Sequence, residues 1–282
     1  MSTPSPNIGG ISLVGAGNKA AQISENARHE YTPRQDEAIP MPGIRAYQGR
    51  GGTIEDAQDL VQFFSALEIP CCMIDVRALK YYGAARVAQE WDVCIPSSSV
   101  RKAVRILEDS SQYEPAKPCC PNVMSLRHVN PTFVRVGTGF FFVLRPSSQC
   151  FVDPRPEFCE LSMNGIPYPQ MAPFGRSLLV MQCWADLADF IDGMDLDEKW
   201  GDENIDFADL QVKGREFTDL YNAELRKFNL NQYSVVDYRQ RWIEIVETKA
   251  RRIEPMKQGR YKTRWRRIKN DRDPRTREHV KT

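Results

Sequence analysis

The chain has 282 residues, of which 41% are hydrophobic and 10% aromatic, and this composition excludes a wholly disordered protein. The net charge of +1 hides an uneven distribution. Residues 251–282 hold 13 Lys and Arg against 4 Asp and Glu, whereas residues 184–209 hold 10 Asp and Glu against 1 Lys. This asymmetry indicates a polyanionic partner for the basic end of the chain.

The sequence contains no run near the roughly 20 apolar residues that a membrane span needs. Its first residues lack the basic segment followed by an apolar stretch that is typical of a secretory signal. The 8 cysteines include no C-x-x-C pair, and 3 histidines are too few to complete a zinc site by spacing. We therefore expect a cytoplasmic protein with reduced thiols and no membrane partner.

The first predicted elements follow a tail, residues 1–45, which is rich in Ser, Pro, Gly and charge and which we expect to be disordered. A capping box at residues 53–56 predicts the start of a helix. Residues 71–74 then predict a short buried strand, and residues 78–82 predict a helix that Gly83 ends.

The middle of the chain predicts a strand, a helix and a loop. Residues 91–95 alternate in polarity and stop at a proline, which is typical of a strand. Ser98 or Ser99 is predicted to cap the helix that follows, because serine favours the N-cap position. Residues 111–131 are rich in proline and predict a loop.

A hairpin and several helices are predicted for the rest of the chain. Residues 133–136 and 140–144 predict two strands that pair about a glycine-containing turn. The spacing of apolar residues predicts one helix within residues 173–192 and further helices over 215–229 and 234–254.

Residues 74–95 carry the most specific pattern in the chain. Within them Tyr82, Gly83 and Arg86 form a loop, and Glu90 and Asp92 open the next strand. This layout resembles the core of polymerase-beta-type nucleotidyltransferases in their small, minimal form. The resemblance implies an α/β fold, a small mixed sheet with flanking helices, followed by a helical C-terminal half. It also implies four regions: a tail at 1–45, the core at 46–155, a helical region packed on it at 156–250 and a basic arm at 251–282.

The chain keeps only part of the chemistry of that superfamily. Glu90 and Asp92 stand two residues apart, so on a strand both carboxylates face the same side and could hold Mg²⁺. At the glycine pair that approaches phosphate in the superfamily, this chain has Asp75 and Val76. The superfamily places a third acid on a later strand, and the counterpart predicted here, around residues 138–139, contains none.

The chain is also similar to a large group of fungal proteins with a modified core of this type, over roughly residues 60–210. The fungal arginine-containing cyclodipeptide synthases are the family that we place beside them. That resemblance implies natural-product biosynthesis, in which a cofactor-free enzyme joins arginine from arginyl-tRNA to a second amino acid as a cyclic dipeptide. The expected catalytic residues are Asp75, Glu90 and Asp92, and the expected substrate-binding residues are Tyr82, Arg86 and Trp91.

The basic arm is the candidate tRNA-binding region. Its cations can neutralise phosphates, and its aromatic rings can stack on unpaired bases. The predicted contacts are Arg251, Arg252, Lys257, Arg260, Lys262, Arg264, Trp265, Arg266, Arg267 and Lys269. An open alternative is that the arm neutralises the acidic residues 184–209 of its own chain.

Two other functions and one other role for a site residue stay open at this point. The chain could transfer nucleotides onto RNA or a small hydroxyl compound, with Glu90 and Asp92 on Mg²⁺. It could also be a non-catalytic RNA-binding module on a degenerate core. Asp75 could form a buried ion pair with Arg77 or Arg86 instead of contacting a substrate.

Overall fold

The computed structural model describes residues 52–84, 86, 88, 90–117, 126–227, 229, 232–257 and 273–276. All of these residues belong to one compact unit of the chain, residues 47–282. The predicted tail, residues 1–45, lies outside the described residues, and so does most of the basic arm.

A five-stranded mixed sheet lies at the centre of the fold. Its strands are β1 (Cys72–Ile74), β2 (Trp91–Ile95), β3 (Tyr113–Pro115), β4 (Thr132–Arg135) and β5 (Phe141–Pro146), in the order β1-β2-β5-β4-β3. Strands β2 and β5 are parallel, and the other neighbours are antiparallel. A separate hairpin joins β6 (Cys159–Leu161) and β7 (Pro167–Pro169).

Helices precede β1, connect several of the strands and make up most of the chain after β7. They are α1 (Ile54–Ala66), α2 (Val76–Tyr81), α3 (Val100–Asp109), α4 (Ser147–Cys150), α5 (Met171–Val180), α6 (Trp184–Met194), α7 (Glu198–Asn204), α8 (Phe207–Lys227), α9 (Tyr238–Glu247) and α10 (Lys249–Lys257). The prediction of an α/β protein with a small mixed sheet is therefore confirmed. None of the helices in the described part of the chain has the length and apolar character needed to cross a membrane.

One extended hydrophobic core joins the sheet to the helices that pack on it, and a second, small cluster contains Cys72, Ile74, Cys94, Cys150 and Val152. Strand β2 is buried along its whole length, as expected for a central strand that runs parallel to its neighbour. The core includes large side chains from α1, the sheet, α5, α8 and α9, among them Phe64, Trp91, Phe142, Phe174, Phe217 and Trp242. The helices after residue 170 thus share a core with the sheet.

The predicted capping box at the start of α1 is confirmed. The Thr53 hydroxyl accepts a hydrogen bond from the backbone N–H of Asp56, whose carboxylate accepts one from the backbone N–H of Thr53. The predicted serine cap of α3 is wrong. Ser99 makes no side-chain bond to the helix, and Ser97–Ser99 form a 3₁₀ turn before it.

Three further predictions about the elements need correction. Residues 113–115 of the predicted loop form strand β3, because they pair with β4. The single helix predicted within 173–192 is two helices, α5 and α6, with Gln182 between them at a φ of 53°. The helix predicted over 234–254 breaks at Thr248, whose hydroxyl donates to the carbonyl of Glu244.

A glycine-to-alanine change in α6 tests how tightly that helix packs on the loop after α2. A methyl group at Gly193 would lie 2.4 Å from the carbonyl oxygen of Tyr82, which is backbone and cannot move aside. We expect Gly193→Ala to lower the free energy of unfolding by about 1–3 kcal/mol, measured by urea denaturation. In the control Ala185→Ser, an exposed position of the same helix, the change should stay within about 0.5 kcal/mol. Equal stability of both variants would contradict this packing.

Candidate functional site

Asp75 lies where β1 ends and α2 begins, with a backbone that suits glycine. Its φ is 56° and its ψ is −138°, a conformation that costs a residue with a side chain about 1–3 kcal/mol. The nucleotidyltransferase pattern has glycine at this position, so the backbone agrees with that pattern although the side chain does not. Within the described chain the Asp75 carboxylate has no hydrogen-bond or ion-pair partner, and the expected pairing with Arg77 or Arg86 is absent.

Two guanidinium groups hold the paired carboxylates of Glu90 and Asp92. Asp92 is only 4% exposed. Arg145 Nη1 donates to Asp92 Oδ1 at 3.2 Å, and Arg127 Nη2 donates to Asp92 Oδ2 at 2.8 Å. Arg127 Nη2 also forms a salt bridge with the Glu90 carboxylate. The two carboxylates are therefore already neutralised by the protein itself.

Arg145 stands on β5, the parallel neighbour of β2, and its side chain is also only 4% exposed. It reaches the carboxylate of Asp92 on the adjacent strand, where the superfamily would bring a third acid close to the pair. The counterpart predicted around residues 138–139 lies in the turn between β4 and β5 instead. At this point of the site, a cation has taken the place expected for an anion.

Burial opposes the charge of Asp92, and the arginines favour it. Burial raises the pKa of Asp92 to about 6, and the nearby charge of Asp75 acts in the same direction, whereas Arg127 and Arg145 lower it. Hydrogen bonds from two guanidinium groups favour the ionised carboxylate. We therefore treat Asp92 as an anion held in a network with Arg127 and Arg145.

This network does not fit the Mg²⁺ that the nucleotidyltransferase alternative requires. A divalent cation would need the carboxylate oxygens that Arg127 and Arg145 now occupy. Among the described residues, no group of three or more His, Cys, Asp or Glu side chains is arranged to hold a metal. The donor set at Glu90 and Asp92 thus disagrees with metal-dependent chemistry.

Arg86 is held by the acidic helix α6. Its guanidinium lies 2.9 Å from Asp186 and donates through Nε to Asp189 at 2.6 Å. Asp189 is only 5% exposed. The expected substrate contact of Arg86 therefore stays a prediction, and its present partners are residues of the chain itself.

A small cavity of about 40 Å³ brings Asp75 close to α5 and α6. Asp75, Asp186 and Arg145 contribute its charged groups, and Cys150, Ser177 and Cys183 are among its other lining residues. Arg145 Nε is buried and has no hydrogen-bond partner among the described residues. Asp75 thus brings to this cavity a carboxylate that has no hydrogen-bond partner among the described residues. A volume of this size admits a small polar group or water.

Asp186 faces Asp75 as a like charge in this cavity. Burial raises the pKa of Asp186 to about 6, and the charge of Asp75 adds to the effect, against the opposing charge of Arg86. Of the two carboxylates, Asp186 is paired with Arg86, whereas Asp75 has no ion-pair partner among the described residues.

Tyr82 and Trp91 lie in the core. Tyr82 is fully buried, and its hydroxyl donates to the carboxylate of Glu160 at 3.0 Å. Trp91 is 2% exposed, and the guanidinium of Arg77 lies 3.8 Å from the centre of its ring. The structure gives both residues packing roles, which argues against the substrate contacts expected of them.

The described part of the basic arm contacts acidic residues of its own chain. Arg252 makes two hydrogen bonds to the buried carboxylate of Asp192, at 2.9 and 2.7 Å. Lys249 donates to Asp195 at 3.1 Å. Arg251 is exposed. At Arg252 the self-neutralising alternative therefore describes the structure better than a tRNA contact.

The other predicted tRNA contacts cannot be placed in the fold. Residue 257 ends helix α10, but its side chain is not among those described. The remaining predicted contacts lie outside the described residues: Arg260, Lys262, Arg264, Trp265, Arg266, Arg267 and Lys269. Their contact with tRNA stays a prediction.

Sequence reasoning missed Arg127, Arg145 and Asp186. Arg145 sits in an otherwise apolar strand, and a charged residue in a buried strand was a signal that it needs a partner. Arg127 stands in a 3₁₀ turn far from Glu90 in sequence, and no local pattern announces that contact. Asp186 was counted only as part of a solvated acidic segment, although that segment is partly buried.

No protein-family model matches the chain, and no curated protein matches it either. The resemblances stated from the sequence therefore stay predictions, and the function has to be argued from the site.

Removing Arg145 tests the ion network. Arg145→Met leaves Asp92 as a buried carboxylate with only one guanidinium, so we expect the free energy of unfolding at pH 7 to fall by about 3–5 kcal/mol. The matched control is Arg239→Met, because Arg239 pairs with Asp202 and Glu198 at an exposed site. That variant should lose less than about 1 kcal/mol. Comparable losses in both proteins, measured by urea denaturation, would show that the network contributes little.

Two substitutions at Asp75 separate backbone strain from charge. Asp75→Gly removes both the side chain that disfavours this backbone and the like charge beside Asp186, whereas Asp75→Ala removes only the charge. We expect Asp75→Gly to exceed Asp75→Ala in unfolding free energy by about 1–3 kcal/mol in urea denaturation. If the two variants are equally stable, the backbone at this position is not strained.

Proposed function

We propose that this protein is a tRNA-dependent synthase that joins arginine, delivered by arginyl-tRNA, to a second amino acid as a cyclic dipeptide. The observation that carries the proposal is the free carboxylate of Asp75, held in a glycine-type backbone beside a cavity that also contains Asp186. The Asp75 carboxylate, which has no ion-pair partner among the described residues, suits a cationic group of an arginyl ester. It does not suit the triphosphate of a free nucleotide.

We also propose that the core is a modified nucleotidyltransferase-type fold. Two observations support this: the order α1-β1-α2-β2-α3, with β1 and β5 on either side of β2, and the glycine-type backbone at Asp75. In this interpretation the phosphate-binding glycine has become a carboxylate, and the third acid has become Arg145. The first change puts a negative charge where the fold would bind an anion, and the second puts a positive charge where it would hold an acid.

The chemistry of the proposed reaction needs positioning and a base. The α-amine of one aminoacyl group attacks the ester carbonyl of the other, an amide C–N bond forms, and the ester C–O bond breaks. The proton passes from the ammonium group to the departing ribose hydroxyl. In this proposal Asp75 accepts that proton, and the guanidinium of Arg145, which lines the same cavity, donates to the carbonyl oxygen. Repetition of the step by the second amine closes the ring.

Other predicted site residues take indirect roles in this proposal. Glu90 and Asp92 fix Arg127 and Arg145, and so position the guanidinium of Arg145 in the wall of the cavity. Arg86 holds Asp186 in the same way. Glu90, Asp92 and Arg86 are then positioning residues, and Asp75 and Arg145 are the groups that touch the substrate.

The proposal is tested by a cyclodipeptide assay. The protein is incubated with tRNA, aminoacyl-tRNA synthetases, ATP and amino acids with or without arginine, and products are identified by mass spectrometry. We expect an arginine-containing cyclic dipeptide that disappears after RNase treatment. Asp75→Asn, which lacks the base, should lower its rate of formation by about 10²-fold or more.

The matched control is Asp219→Asn, an exposed aspartate on α8, which should keep the wild-type rate. Absence of any cyclic dipeptide with every amino acid set would overturn the proposal. Binding of tRNA without a product would then favour the non-catalytic RNA-binding alternative. Mg²⁺-dependent transfer of a labelled nucleotide, abolished in Asp92→Asn, would favour the nucleotidyltransferase alternative.

A further inference from the structure

A cleft of about 780 Å³ opens beyond the carboxyl ends of β2 and β5. These are neighbouring parallel strands, and ligands of open α/β sheets bind in the crevice at that end of the strands. After β2 the chain continues as Pro96-Ser97-Ser98, and after β5 it continues as Ser147-Ser148. All four serines line the cleft.

The serine hydroxyls tie the two strand ends together. The Ser97 N–H donates to the Ser147 hydroxyl at 3.2 Å, and the Ser148 N–H donates to the Ser97 hydroxyl at 3.0 Å. A hydroxyl–hydroxyl bond of 2.9 Å joins Ser97 to Ser148. This network gives the cleft a polar edge.

Three cationic residues, Arg155, Arg176 and Lys213, and two acidic residues, Asp153 and Glu216, also line the cleft. Arg176 forms a salt bridge with Asp209 through Nη2, while its buried Nε has no hydrogen-bond partner among the described residues. Lys213 has only a long contact of 3.6 Å to the exposed Glu216, and such a surface pair is weak enough to exchange for a ligand. Arg155, in contrast, is firmly held by Asp153.

The remaining lining is largely apolar. Phe151, Phe158, Leu210 and several prolines supply it, and Phe158 is 36% exposed. A cleft of this volume, with apolar walls and a few converging polar groups, has the character of a ligand site. An aromatic ring suits the apolar wall, and an anion suits Arg176 and Lys213.

The cleft and the Asp75 cavity share a wall. Val152 lines both spaces, and its neighbours divide between them: Phe151 faces the cleft and Cys150 the cavity. Helix α5 does the same, with Arg176 on the cleft and Ser177 on the cavity. The two spaces are therefore neighbours on either side of Val152 and helix α5.

We propose that this cleft binds a nucleoside monophosphate unit, with its base on the apolar wall and its phosphate on Arg176 and Lys213. The inference deepens the proposed function and rests on it for the source of the ligand, which is the 3′-terminal adenosine nucleotide of tRNA. In this proposal the cleft receives the nucleotide, and the aminoacyl group on its ribose lies on the side of the cleft that faces Asp75.

Binding of AMP is the direct test, because it needs no catalysis. The full chain is titrated with AMP, adenosine and inorganic phosphate by calorimetry. We expect AMP to bind at least 10-fold more tightly than adenosine, and Lys213→Glu to weaken AMP binding about 10-fold. Lys199→Glu is the matched control, since Lys199 is 79% exposed on α7 and does not line the cleft, and it should bind AMP like the wild type. Asp75→Asn should also keep AMP binding.

A competition experiment with tRNA then identifies the source of the nucleotide. We expect tRNA to compete with AMP and tRNA without its terminal adenosine to compete at least 10-fold less well. Equal competition by both RNAs would overturn the assignment to the tRNA end, and equal affinity for AMP and adenosine would overturn the phosphate contact. Undetectable AMP binding, or wild-type binding in Lys213→Glu, would overturn the site itself. If the protein binds AMP but forms no cyclic dipeptide, the proposed function is refuted and the AMP site is not.

Discussion

The contact of Asp92 with Arg127 and Arg145 is the constraint on which the rest of the site depends. Asp92 and Arg145 lie on adjacent parallel strands in the middle of the core, where an unpaired charge would be very unfavourable. Their pairing fixes which face of β5 carries the guanidinium, and Arg127 adds a second bond from a turn outside the sheet. Because these two cations neutralise Glu90 and Asp92, the only free carboxylate of the expected triad is Asp75.

The elements that depend on residues close together in the sequence could be predicted from it. The capping box at Thr53 and the strand at 91–95 are encoded within a few residues, and both are present. Strand β3 could not be predicted in this way, since the burial of Tyr113 depends on contacts with Phe63 and Phe142. The break between helices α5 and α6 at Gln182 contains no glycine or proline from which it could be predicted.

The candidate site also has a part that could be predicted from the sequence and a part that depends on residues far apart in the chain. Sequence reasoning brought Asp75, Glu90 and Asp92 to one end of two neighbouring strands, and β1 and β2 do pair with Ile74 opposite Asp92. It could not tell which carboxylates would be free, because that depends on arginines far away in sequence. The role of the acidic residues 184–209 could not be predicted for the same reason. Asp189 and Asp192 are buried and form salt bridges with Arg86 and Arg252.

The wall between the cleft and the cavity also links the two spaces energetically. Residues 150–152 and helix α5 contact both, so a displacement of this wall by a ligand on one side changes the space on the other. Interiors this closely packed pass on such shifts rather than absorb them. Such coupling is reciprocal: if a ligand in the cleft changes the affinity of the cavity by some factor, a ligand in the cavity changes the affinity of the cleft by the same factor. Filling one of the two spaces therefore changes the affinity of the other.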